Sequence, residues 1–80
     1  MNILKEAKII INEIEKVATN NELLVGIQED EETFKKSYGF FLSFEEGEWE
    51  QVEATFKVGT LNEVLKHFLN KGFFVSFEIN

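Results

Sequence analysis

Ser37-Tyr38-Gly39-Phe40-Phe41-Leu42-Ser43-Phe44-Glu45-Glu46-Gly47-Glu48-Trp49-Glu50-Gln51-Val52-Glu53-Ala54-Thr55-Phe56-Lys57-Val58 is the stretch that decides the fold. Its first half alternates. Tyr38, Phe40, Leu42 and Phe44 share one face of an extended chain, and Gly39, Phe41, Ser43 and Glu45 share the other. The second half alternates again, with Val52, Ala54, Phe56 and Val58 set against Gln51, Glu53, Thr55 and Lys57. Between them lies Glu46-Gly47, where glycine can take the positive φ of a tight turn. Two matched alternations about one glycine predict a β-hairpin with a single apolar face.

The flanking segments change period. Ile3, Leu4, Ala7, Ile10, Ile11, Ile14, Val17 and Ala18 form one stripe on a helical wheel, which predicts a helix over about residues 3–19. Ile9 is the apolar residue off that stripe, and Asn20-Asn21 suit a C-terminal cap. Leu23-Leu24-Val25-Gly26-Ile27 reads as a short strand, followed by the acidic run Glu29-Asp30-Glu31-Glu32. That run is expected as a loop or one helical turn with Asp30 as its N-cap. After the hairpin, Thr60-Leu61-Asn62-Glu63 has the spacing of a capping box. A second helix follows with Leu61, Val64, Leu65, Phe68 and Leu69 on one face and Gly72 as its C′ residue. The last segment puts Phe73, Val75, Phe77 and Ile79 on one face, with Phe74, Ser76 and Glu78 on the other.

The order is therefore α-β-β-β-α-β in one domain of 80 residues. Single apolar stripes on both helices and single apolar faces on the long strands predict an α+β two-layer sandwich. Both helices would lie on one face of a four-stranded antiparallel-rich sheet. A right-handed crossover through the second helix would bring the last strand beside the third, giving sheet order 1-2-3-4. Pairing of strand four with strand one is the alternative.

Composition narrows the function. The chain has no cysteine, so the core must come from packing, and neither thiolate chemistry nor a Cys-based zinc site is available. No apolar run approaches a membrane span or a secretory leader, and the expected location is the cytoplasm. Arginine, the usual reader of phosphates and base edges, is absent, which argues against direct nucleic-acid binding. The formal charge is −7, and it is unevenly placed. Residues 21–56 carry ten acids against Lys35 and Lys36, a net of −8, while the flanks sum to +1.

Catalytic arrangements fare poorly. His67, the one histidine, lies ~130° from the centre of the second helix's stripe and is expected at the surface near the negative helix end. No second histidine or cysteine completes a metal set. Ser43 and Ser76 are expected on the sheet face opposite the helices, away from His67, against a nucleophilic triad. Carboxylate pairs are inevitable with fifteen acids, and the acidic run lacks the alternating ligands and central glycine of a calcium loop. The five glycines have no phosphate-cradling spacing. The expectation is a protein that is not an enzyme and carries no cofactor or metal.

What remains is a surface. The open sheet face is expected to present Leu24, Phe41, Phe74 and Trp49, with Glu45, Glu53 and Glu78 among them. The acidic band comprises Glu29, Asp30, Glu31, Glu32, Glu45, Glu46, Glu48, Glu50 and Glu53, crowded where folding gains nothing from like charges. Together with Phe41 and Trp49 these acids are the expected contacts to a partner protein with a basic surface. In element order, residues 3–71 resemble the double-stranded-RNA-binding domain. That family reads phosphates with lysines at the start of its second helix, where this chain has Thr60-Leu61-Asn62-Glu63, so the likeness is one of topology. In type, small size, excess acid and absent cysteine look like phage counter-defence proteins, including anti-CRISPR proteins, and like immunity proteins of nuclease toxins. The functional expectation is an inhibitor that occupies a basic nucleic-acid-binding surface. The alternative is a self-associating structural or accessory domain, a homodimer through the Phe-rich last strand.

Overall fold

The computed structural model describes residues 5–43, 48–54 and 56–79. Six elements run α1 (Lys5–Val17), β1 (Glu22–Glu29), β2 (Lys36–Ser43), β3 (Trp49–Ala54), α2 (Val58–Asn70) and β4 (Phe74–Ile79). They form an α+β fold with both helices packed on one face of a four-stranded mixed sheet. The proposed turn at Glu46-Gly47, together with Ile3, Leu4, Phe44 and Thr55, lies outside the described residues.

The core is where the two periodicities meet. Ala7, Ile10, Ile11 and Ile14 of α1 and Leu61, Val64 and Phe68 of α2 pack on Leu23 and Val25 of β1 and Phe40 and Leu42 of β2. Phe56, in the link from β3 to α2, stacks on Phe40 with ring centroids 4.8 Å apart and on Tyr38 at 5.9 Å. Ile9 is exposed, as its place off the stripe requires, and so is Val17, which the stripe had included.

The sheet order is β3-β2-β1-β4, with β1 antiparallel to β2, β2 antiparallel to β3, and β4 parallel to β1. The order 1-2-3-4 is thus replaced by its alternative. The reason is legible in β3: its Glu50, Gln51 and Glu53 suit an edge, and pairing β4 beyond it would have made an acidic strand central. The two apolar strands, β1 and β2, take the middle instead.

Three local readings are also corrected. Helix α2 begins at Val58, with Lys57 at the N-cap and no side chain capping it, so Thr60 is not a cap. Thr60 is buried inside the first turn, facing the core with Leu61, Val64 and Phe68. Including Thr60 rotates the buried stripe ~50–60° away from Leu69 and towards His67; Leu69 is accordingly exposed and His67 half-buried. Asn20 does not cap α1. Its Nδ2 donates to the Ser43 carbonyl at 3.0 Å and its Oδ1 accepts from the Glu22 N–H at 3.1 Å, tying the α1–β1 link to the end of β2.

The exit of α2 follows the sequence reading. Gly72 has φ +86°, its N–H donates to the Leu69 carbonyl, and the Phe73 N–H donates to the Phe68 carbonyl. The Phe68 and Phe73 rings meet at 4.7 Å, completing a Schellman motif with its apolar contact.

Candidate functional site: the open face of the sheet

The side of the sheet away from the helices is shaped by two glycines. Gly26 and Gly39 are directly opposite in the β1–β2 register. Without side chains they leave room for the Phe41 ring, which lies over both. A Cβ at Gly26 would come within 2.8 Å of Phe41 Cε2, and one at Gly39 within 3.1 Å. Phe41 is thereby largely buried although neither α1 nor α2 covers this face. Around it Leu24, Trp49, Gln51, Ala54 and Glu78 line a shallow depression of about 410 Å³. Leu24, Phe41 and Trp49 are brought together as the alternation implied, and Glu78 joins them. Trp49 remains 42% exposed at the start of β3.

A bulge alters the third strand. Phe40 pairs with Glu53 but Phe41 pairs with Gln51, so Val52 is the extra residue. From that point the alternation shifts. Val52 packs against the core while Ala54, opposite Gly39, lines the open face. Glu53, expected on the open face, instead pairs with core-facing Phe40; its carboxylate accepts from the Ala54 N–H at 3.1 Å. The small side chain at 54 widens the depression that Glu53 would have filled with charge.

The expected acidic band is two patches, not one. Glu29 closes β1 opposite Lys36, and Asp30, Glu31 and Glu32 form the loop beyond it. Glu48 and Glu50 flank Trp49 at the other end of β2, close to Glu22 at the first position of β1. Eight residues of β2 separate the ends, about 24 Å at the rise of an antiparallel strand. An antiparallel pair sends its two connections to opposite ends of a sheet, so acids near in sequence part in space. Glu45 and Glu46 lie outside the described residues.

Asp30 has a local task. Its Oδ1 accepts from the backbone N–H groups of Glu32 at 2.8 Å and Thr33 at 3.1 Å, the N-cap geometry expected of it. These bonds, that of Thr33 foremost, hold its carboxyl below the usual aspartate range. Its backbone also closes the loop: its N–H donates to the Lys35 carbonyl and its carbonyl accepts from Phe34. Glu29, Glu31 and Glu32 are exposed beside it.

His67 is not simply at the surface. Its Nε2 lies 2.6 Å from Glu15 Oε1, and the Lys71 ammonium donates to the same oxygen at 2.8 Å. The lysine foremost, then the histidine, hold the Glu15 carboxyl below the ordinary glutamate range. This clasp joins α1 to α2 on the helix layer, while Ser37 and Ser76 belong to the open sheet face. Glu15 as the partner was hidden because helix–helix register is not written in either helix alone. Among the described residues no three His, Cys, Asp or Glu side chains converge to hold a metal. None of their helices is long and apolar enough to cross a membrane. Comparison with protein families, characterised proteins and solved structures gave no match to this chain.

Proposed function

We propose that this chain is a non-enzymatic protein-binding module that docks through the open face of its sheet onto a basic surface of another protein. The observation that carries the reading is the arrangement of Phe41 and Trp49 beside a shallow depression, with carboxylates at both ends of the sheet. Clustered aromatics on an uncovered face are the common material of interface anchors. The acid at either end favours cationic partners and speeds their approach. The depression suits a lysine or arginine side chain, its stem against Leu24 and its charge near the Phe41 ring and Glu78. The functional consequence that fits such a partner is inhibition, by covering a surface that otherwise handles nucleic acid.

The experiment is affinity capture from the native host followed by binding kinetics with the protein recovered. Trp49→Ala should weaken binding by about tenfold or more, and Glu48→Lys with Glu50→Lys should slow association, most at low salt. Lys66→Ala, on the helix layer, should change neither. A captured partner that tolerates the open-face substitutions but is lost on altering the helix layer would overturn the proposal.

A further inference from the structure

The two edges of this sheet are built differently. Edge strand β3 is bulged and carries Glu50 and Glu53, two devices that keep an edge from pairing with another chain. Edge strand β4 has neither proline nor lysine, and Glu78 is its one charge. Its register with β1 has no bulge. Phe74 and Ile79 are each 76% exposed and Phe77 is 56% exposed, an unusual apolar content for an edge strand. We propose that β4 is the dimerisation edge of this protein, pairing antiparallel with β4 of a second copy about a two-fold axis at Phe77.

The backbone fixes the register. The Phe74 N–H donates to the Asn21 carbonyl at 2.7 Å, so the peptide groups of Phe74, Ser76 and Glu78 turn towards β1. Those of Val75, Phe77 and Ile79 therefore turn outward, without a partner among the described residues. Antiparallel pairing that uses all three sets Phe77 opposite Phe77 of the second copy and Val75 opposite its Ile79, giving about six main-chain hydrogen bonds. Val75 and Phe77 pair in register with Leu23 and Val25, whose side chains face the helices. The two helix layers would consequently fall on the same side of one continuous eight-stranded sheet. There the Phe77 rings and the exposed Ile79 side chains of both copies would cover one another.

The placement of charge leaves this edge open to a second copy. The acidic strand β3 is three strands from β4, about 14 Å across the sheet, so two acidic molecules meet at their least charged edges. In this register each Glu78 faces Ser76 of the other copy, not its own counterpart. A lysine-rich foreign strand would be drawn instead to the acidic ends. The inference does not rest on the docking proposal, which uses the open face of the sheet and meets β4 only at Glu78.

Sedimentation velocity of the full chain from about 10 μM to about 1 mM should show a shift from monomer to twice its mass. Phe77→Lys, with its fold checked by circular dichroism, should weaken dimerisation about tenfold or more by placing like charges directly opposite. Trp49→Ala should leave dimerisation unchanged. Because the chain has no cysteine, single replacements report the register directly. Phe77→Cys should cross-link under mild oxidation, its Cα partner at about 5.5 Å, far faster than Ser76→Cys or Ile79→Cys. A monomer throughout the range would overturn the inference. So would a dimer indifferent to Phe77→Lys, or cross-linking no faster at 77 than at 76.

Discussion

Replacing Gly26 by alanine should show how tightly the open face is organised around one ring. The new Cβ would lie 2.8 Å from Phe41 Cε2. Carbon atoms rest at about 3.5–4.0 Å, so the ring must move by roughly 0.7–1.2 Å or turn off the sheet. Overpacking of this size costs about 1–3 kcal/mol. Against it stands about 0.5–1 kcal/mol gained by removing a glycine from the interior of a strand. The net expectation is destabilisation of about 1 kcal/mol. With Phe41→Ala already in place, nothing opposes the methyl group and Gly26→Ala should stabilise by about 0.5–1 kcal/mol. The sign of one substitution therefore reverses with the state of a residue fifteen positions away. Urea unfolding of the four proteins, followed by circular dichroism and Trp49 fluorescence, measures the cycle. At a slope of about 1 kcal/mol/M the two effects are midpoint shifts of about −1 M and about +0.5–1 M. A coupling energy within about 0.3–0.5 kcal/mol of zero would refute the claim that Phe41 packs over the glycine pair.

Other substitutions test the backbone and the helix clasp. Phe34 sits in the β1–β2 loop at φ 58°, a conformation costing a bulky residue about 1–2 kcal/mol; Phe34→Asn should raise the melting temperature by about 4–8 °C, and a fall would contradict the strain. Gly72→Ala meets no neighbour but must hold φ +86°; a loss of about 1–2 kcal/mol in urea unfolding is expected, and an unchanged midpoint would disprove the left-handed exit of α2. Glu15 and Asp30 are both depressed in the folded state, so their stabilisation is present above the ordinary carboxylate range and lost as pH falls through their lowered values. Stability should therefore drop below about pH 4, and Glu15→Gln should make that decline shallower; an unaltered acid limb in melting temperature against pH would remove Glu15 from the account.

Much of the architecture was legible because it follows from local periodicity. The stripe Ala7-Ile10-Ile11-Ile14, the alternation Phe40-Leu42 and the Gly72-Phe73 exit each state their geometry within a few residues. Sheet order was not local. Either placement of β4 satisfies its own alternation, and only the polarity of β3 as a candidate central strand separated them. The bulge at Phe40/Phe41 left no mark in the alternation of Val52-Glu53-Ala54, so Ala54 and Glu53 were expected on the wrong faces. One misjudged residue, Thr60, displaced the apparent stripe of α2 and with it the expected surroundings of both His67 and Leu69. The open-face anchors Leu24, Phe41 and Trp49 could be read from parity alone. The division of the acids into two ends followed from strand length, a quantity equally present in the sequence, once β1 and β2 are taken as antiparallel neighbours.

The pairing of β1 with β4 also bears on how the molecule assembles. Glu22 meets Phe74 across the longest loop in the sheet, whereas β1–β2 and β2–β3 join neighbours in sequence. Closing that loop is entropically the most demanding step, so the three-stranded meander is expected to form first, with β4 arriving after α2 has packed. In the interval β1 is the open border and carries Leu23 and Val25. A nascent molecule is therefore most prone to sticking at a seam that the finished one conceals.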